Sequence, residues 1–149
     1  INPNTPAYQK EMKSSHNRFM YEWSRLENNP VLITGHTHQP VFASLTHLER
    51  LYKQLISAEK ENNVVTIQQL KQAIQFRKQE YDYVAANYMQ MKPFYFNTGC
   101  CCFSDGDITG IEIADGMIRL IKWKQQQATS QREVLEEMEL SKLLLGEFK

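Results

Sequence analysis

Hydrophobic residues fall into short periodic blocks separated by polar breaks. Residues 1–13 are polar, with Pro3 and Pro6, and read as a loop. Ser14 or Ser15 caps a helix reaching to about Glu27, on which Phe19, Trp23 and Leu26 share a face at i, i+4 and i+7. Asn28-Asn29-Pro30 ends it. Val31-Leu32-Ile33-Thr34 has no alternation, the pattern of a strand buried on both faces in a helix-covered sheet. The strand gives way to Gly35-His36-Thr37-His38 and then Gln39-Pro40. In open α/β sheets, ligands gather at such carboxyl ends of strands.

A long helical pattern follows. Thr46 with Glu49, and Thr66 with Gln69, fit capping boxes. Leu45, Leu48, Tyr52 and Leu55 are spaced 3-4-3, and Ile67, Leu70, Ile74, Arg77, Tyr81, Val84, Tyr88 and Met91 keep that spacing. Seams of this kind pack two helices along their length. With a turn at Glu61-Asn62-Asn63, residues 44–92 are predicted to form a helical hairpin, ended by Pro93. Phe94-Tyr95-Phe96 reads as a strand closing at Asn97-Thr98-Gly99. Segments 108–114 and 117–123 flank Asp115-Gly116, a strong hairpin signal. Lys124 to Thr129 reads as a Gln-rich linker. Residues 130–148 then read as an amphipathic helix carrying Val134, Leu135, Met138, Leu145 and Phe148. No internal repeat is present.

The 149 residues suffice for one domain with a core. Lys plus Arg and Asp plus Glu number 17 each, so the formal net charge is zero. That balance gives no reason to expect nucleic acid or an anionic membrane as partner. No stretch approaches the ~20 apolar residues of a spanning helix. The cysteines, Cys100, Cys101 and Cys102, are contiguous and odd in number. This is a poor disulfide framework, and a reducing, cytoplasmic setting is the simpler expectation. The first residues hold no apolar signal segment and no initiator Met, which fits a portion of a longer product.

His36 and His38 carry the most suggestive chemistry. Two histidines one residue apart point the same way on extended backbone. Gly35 permits a sharp turn before them. Neutral imidazole is the commonest metal ligand. On spacing alone, metal ligation and ordinary polar loop histidines both remain open.

The stretch from Val31 to Pro40 resembles the closing signature of the calcineurin-like metallophosphoesterases, a hydrophobic strand followed by Gly-His-x-His and often Pro. Phe96-Asn97-Thr98-Gly99 followed by the 108–123 hairpin resembles that family's ending, in the same order. The resemblance implies an α/β fold, the C-terminal part of a layered metallophosphoesterase sandwich, with residues 44–92 as an inserted helical hairpin. It implies a phosphate mono- or diester substrate and two divalent metal ions, Mn, Fe, Zn, Co or Ni, with His36 on one and His38 on the other. Two such ions lower the pKa of a bridging water and clamp the phosphate oxygens. The family's Asp-x-His, Gly-Asp-x-x-Asp and Asn-His-Asp/Glu motifs do not occur here. A catalytic metal usually takes three protein ligands, so these residues alone are expected to bind metal weakly and not to hydrolyse phosphate esters. No catalytic residue is assigned to this segment.

Other residues are weighed similarly. The adjacent cysteines lack zinc-site spacing and read as a tight, partly buried segment. Asp105 and Asp107 read as a turn. Asn97 reads as a cap or turn residue, with holding a metal-site loop as its other role. His16 lies before the closing motif, where the family often has one more lone histidine ligand, but reads as a surface residue; His47 reads as solvent-exposed, with lining the mouth of the site as its other role. The 44–92 hairpin is the alternative functional element, as a non-catalytic protein-interaction module. Open strand edges would favour a homo-oligomer.

Overall fold

The computed structural model describes residues 10–27, 31–99, 107–126 and 129–145. Cys100–Cys102 and Asp105 lie outside them. The chain is mixed α/β, with two sheets. Strand β1 (Leu32–Thr34) lies parallel to β4 (Tyr95–Asn97), with Ile33 opposite Phe96. β2 (Val41–Phe42) pairs antiparallel with β4 on the other side, and β3 (Leu45–Thr46) completes the order β1-β4-β2-β3. Helix α1 (Lys10–Leu26) covers one face, where Tyr21, Val41 and Tyr95 form a small core.

Two sequence expectations change at this layer. β1 ends the strand order, and Ile33 and Val31 are about 40% exposed, so it is not buried on both faces. The Phe19–Trp23–Leu26 face of α1 points outward, while Asn17, Tyr21 and Ser24 are buried. The helix turns this way because Asn17 enters the polar interior described below.

The link from β2 to β3 is Ala43-Ser44, both at positive φ (52° and 67°). Such a turn usually uses Gly or Asn. Here the Ser44 N–H donates to the Tyr95 carbonyl (2.7 Å), its hydroxyl donates to the Lys92 carbonyl, and the hydroxyl accepts from the Tyr95 N–H (3.0 Å). These bonds offset the strain.

The expected helical hairpin is shorter than 44–92. α2 (His47–Lys60) opens with the Thr46/Glu49 capping box, and α3 (Val64–Arg77) follows the expected turn. The cap of α3 is Asn63, which accepts from the Thr66 N–H, and not the Thr66/Gln69 box. Beyond Arg77 the chain is irregular, with short 3-10 turns at Lys78–Glu80 and Tyr88–Gln90. Tyr81 and Val84 still pack on the Leu48, Leu51 and Ile74 core, as their spacing suggested. Further along this stretch the Ala85 N–H donates to Glu49 Oε1 (2.8 Å) and not to a helical carbonyl. Glu49 is itself buried, and its Oε2 accepts from the N–H and hydroxyl of Thr46 (2.8 Å each).

The second sheet is antiparallel, in the order β5 (Ile108–Ala114), β6 (Met117–Gln126) and β7 (Thr129–Glu139). The Asp115-Gly116 turn is as expected, with φ of 53° and 72°. The expected linker and long terminal helix are not formed. Residues 124–126 extend β6, residues 129–139 are β7, and only α4 (Leu140–Leu145) is helical. The charges of β7 find cross-strand partners: Arg119 bonds Glu137 (3.1 Å) and Arg132 bonds Glu112 (3.2 Å). A bulge lies between Leu120 and Ile121, opposite Glu136 and Val134, which leaves Leu135 as the extra residue. That shift lets a helix-like 134, 135, 138 pattern fit a strand. The two sheets meet where Phe42 and Phe96, edge to face at 5.3 Å, pack with Ile118, Leu120 and Leu143.

Replacing Glu49 with Ala should cost about 2–3 kcal/mol, because it removes the capping box and orphans the Ala85 amide. Urea unfolding will give the loss, and hydrogen exchange should show Ala85 losing protection before the β6 amides do.

Candidate functional site

The site is built around the loop that leaves β1. Asn97, at the end of the neighbouring β4, is wholly buried. Its amide nitrogen lies 2.9 Å from Thr37 Oγ1, 3.1 Å from the Tyr95 hydroxyl and 3.2 Å from Asn17 Oδ1. Its two hydrogens therefore serve three acceptors. Its oxygen accepts from the Gly99 N–H (2.9 Å). The Tyr95 hydroxyl donates to Asn17 Oδ1 (3.0 Å), and Asn17 Nδ2 donates to Gln39 Oε1 (3.0 Å). Thr37 and Gln39, the residues either side of His38, are thus both fixed by buried side chains from α1 and β4. Burial holds the Tyr95 phenol above its ordinary value, so it remains a donor. Asn97 is thus a turn residue that also pins the 37–39 loop.

Gly35 is not the left-handed residue of the turn. His36 is, at φ 79°. A non-glycine residue there costs about 1–3 kcal/mol and persists only where its surroundings enforce it. Gly35 instead permits close approach, since a Cβ would sit 3.1 Å from Thr98 Oγ1. The backbone is bent, not extended, so His36 and His38 have different surroundings. His36 is exposed and lies near His16, while half-buried His38 faces a cleft.

His16 is half-buried, not a plain surface residue. Its Nε2 is buried without a hydrogen-bond partner among the described residues. Burial, and then the nearby His36, holds its pKa below 6.5. No sequence spacing pointed to it. The available signal was its place beside Asn17, on the turn of α1 that enters the polar interior.

The cleft has a volume of about 600 Å³ and runs between the His38 loop, the base of the helical hairpin and the second sheet. His47 lines it with His38 and is half-buried. Burial, followed by the Arg50 and Arg77 charges, holds the His47 pKa below 6.5. Tyr81 also lines it, and burial with the Glu80 charge pushes its phenol up to about 12. The floor is one face of the β5-β6-β7 sheet. Toward Ile118 that face is apolar and joins the core; toward Lys122 and Lys124 it becomes polar and forms the cleft. Asp107 is an ion-pair partner of Lys122 here, with its carboxyl held below the usual range by that lysine.

Among the described residues, no three or more His, Cys, Asp or Glu side chains gather closely enough to hold a metal ion. The described donor set does not make a closed metal site. No helix among them is long and apolar enough to cross a membrane. The chain matches no protein-family model, no curated protein and no solved structure.

Two predictions follow from the geometry. Replacing Asn97 with Ala should cost about 2–4 kcal/mol, since buried Thr37, Tyr95 and Asn17 lose a shared partner. Urea unfolding measures this, and exchange at the 36–39 amides should rise more than in the β6 strand. Both His16 and His47 titrate below 6.5 in the folded state, so the unfolded chain takes up protons first on acidification. Stability should therefore be full above about pH 6.5 and fall below it. The urea midpoint should drop between about pH 7.5 and 5.5, and less so in His47→Gln.

Proposed function

We propose that this chain supplies His36 and His38 as metal ligands to a two-metal phosphoesterase of the calcineurin-like kind, acting on phosphate mono- or diesters. The observation that carries the reading is the His36–His38 loop itself. It leaves the carboxyl end of a parallel strand, is strained at His36 and is pinned through Thr37 and Gln39. Pre-organised loops of this kind suit ligands that must keep their geometry before metal arrives. The buried Nε2 of His16 beside His36, without a hydrogen-bond partner among the described residues, is a further donor suited to the same site. The remaining ligands have to come from beyond the described residues. When bound, such metals would lower the pKa of a water and neutralise phosphate oxygens. The layered metallophosphoesterase sandwich belongs to this reading. So does the identity of the ions, for which imidazole admits Mn, Fe, Zn, Co or Ni.

A second reading makes the α2–α3 hairpin a docking element. It is favoured by Val64, Val65 and Phe76, each about 65% exposed on α3.

The test is Mn²⁺-dependent hydrolysis of para-nitrophenyl phosphate and its bis ester by the full-length gene product, beside a His38→Ala version. Turnover should fall at least about 100-fold in the variant, exceeding the loss from an outer-shell change. The 149-residue chain alone should be inactive. No turnover with any of several metals, together with metal binding unaltered by His36→Ala and His38→Ala, would overturn the phosphoesterase reading in favour of the docking element.

A further inference from the structure

Lys13, Arg50, Arg77, Lys122 and Lys124 line the cleft, and the last four each carry a matched carboxylate before any ligand enters. Arg50 bonds Glu136 at 2.7 Å, and Arg77 bonds Glu80 at 3.0 Å. On the floor, Lys122 pairs with Asp107 and Lys124 with Glu133. Lys124 is opposite Gln131 and reaches diagonally to Glu133 on β7, while Lys122, opposite Thr109, reaches to Asp107 just before β5. A polyanion gains affinity from cations that lack a counter-charge. In this cleft it would first have to displace four carboxylates. An apolar ligand fares no better, because only Pro40, Leu120 and Leu135 give the lining wholly apolar side chains.

A neutral hydroxyl meets neither obstacle. It can donate to a carboxylate and accept from the paired ammonium at once, leaving the ion pair in place. Lys122 and Lys124 stand two residues apart on β6, about 7 Å along the strand, so the two floor pairs present two donor–acceptor sets that hydroxyls on opposite sides of a sugar ring can span. Tyr81 adds an aromatic face and a phenol that stays protonated. We propose that the cleft between the His38 loop, the hairpin base and the polar half of the second sheet binds a neutral polyol, a sugar or the ribose of a nucleoside. In calling that polyol the alcohol portion of the ester cleaved near His38, the inference rests on the phosphoesterase reading.

The test is a metal-free NMR titration of the 149-residue chain with methyl riboside and methyl glucoside, and separately with tripolyphosphate. The expected result is saturable shifts at the Thr109, Lys122 and Glu133 amides with a polyol, and none there with tripolyphosphate. Glu133→Gln and Lys122→Met should each weaken polyol binding severalfold while leaving the β6 core resonances in place. Shifts with tripolyphosphate alone would overturn the proposal in favour of a polyanion site, and shifts with neither would overturn it outright. Because no metal or turnover is involved, the outcomes separate. Polyol binding without hydrolysis by the full-length product removes only the phosphoesterase reading. Hydrolysis of aryl phosphates without polyol shifts removes only this one.

Discussion

Much of this structure depends on one amide. Asn97 sits where strand β4, helix α1 and the loop after β1 converge, and Tyr95, Asn17 and Thr37 each bring a polar atom to it. A buried amide left unpaired costs about 1–3 kcal/mol, so the position tolerates little besides a side chain that both donates and accepts. Satisfying it fixes the rest in turn. Thr37 must face inward, which leaves His36 exposed and half-buried His38 at the cleft. Asn17 must face inward, which rotates α1 and leaves Phe19, Trp23 and Leu26 outside. The helix thus turns a mixed face inward, Asn17 beside the apolar contact of Tyr21, and leaves its other large apolar residues outside.

That orientation makes sense only if the loop matters. An apolar α1 face against Tyr95 would bury more hydrophobic surface and need no compensating bonds. What the polar arrangement provides is rigidity, because every member of the network has a directional partner. The strain at His36 points the same way. A left-handed histidine on a floppy loop would relax, and this one is held between β1 and a residue that cannot move without breaking the Asn97 bonds. Local strain maintained by a buried network marks a position where geometry outweighs stability.

Features whose cause is local were legible in the sequence. The Thr46/Glu49 box, the Asp115-Gly116 turn and the strand before Gly35 need only neighbouring residues to define them. The long β7 strand was not legible, since Glu133, Glu136 and Glu137 look like a solvated helix face until Lys124, Arg50 and Arg119 are placed across from them. The Ala43-Ser44 turn was hidden for the same reason: its positive φ values are held by Lys92 and Tyr95, some fifty residues on. At the candidate site, spacing singles out His36 and His38 but leaves a metal-ligand and an ordinary loop role both open. His16 and His47 read as surface residues in sequence, because what distinguishes them is burial and neighbours from other elements.

The cleft follows from where apolar side chains run out. On one face of β6, Ile118 and Leu120 meet Phe42 and Phe96, and the sheets close on each other. Past the bulge the same face offers Lys122 and Lys124, which cannot enter a core without a large desolvation cost. The layers must therefore part at that point. Arg50 bridges the opening at one side, bonded to Glu136 and to the Leu45 carbonyl, and this ties the hairpin base to β7. The gap opens beside His38 because the loop leaves β1 over the polar end of the sheet. A single change of side-chain character along β6 thus separates the part of the chain that holds it together from the part free to meet a ligand.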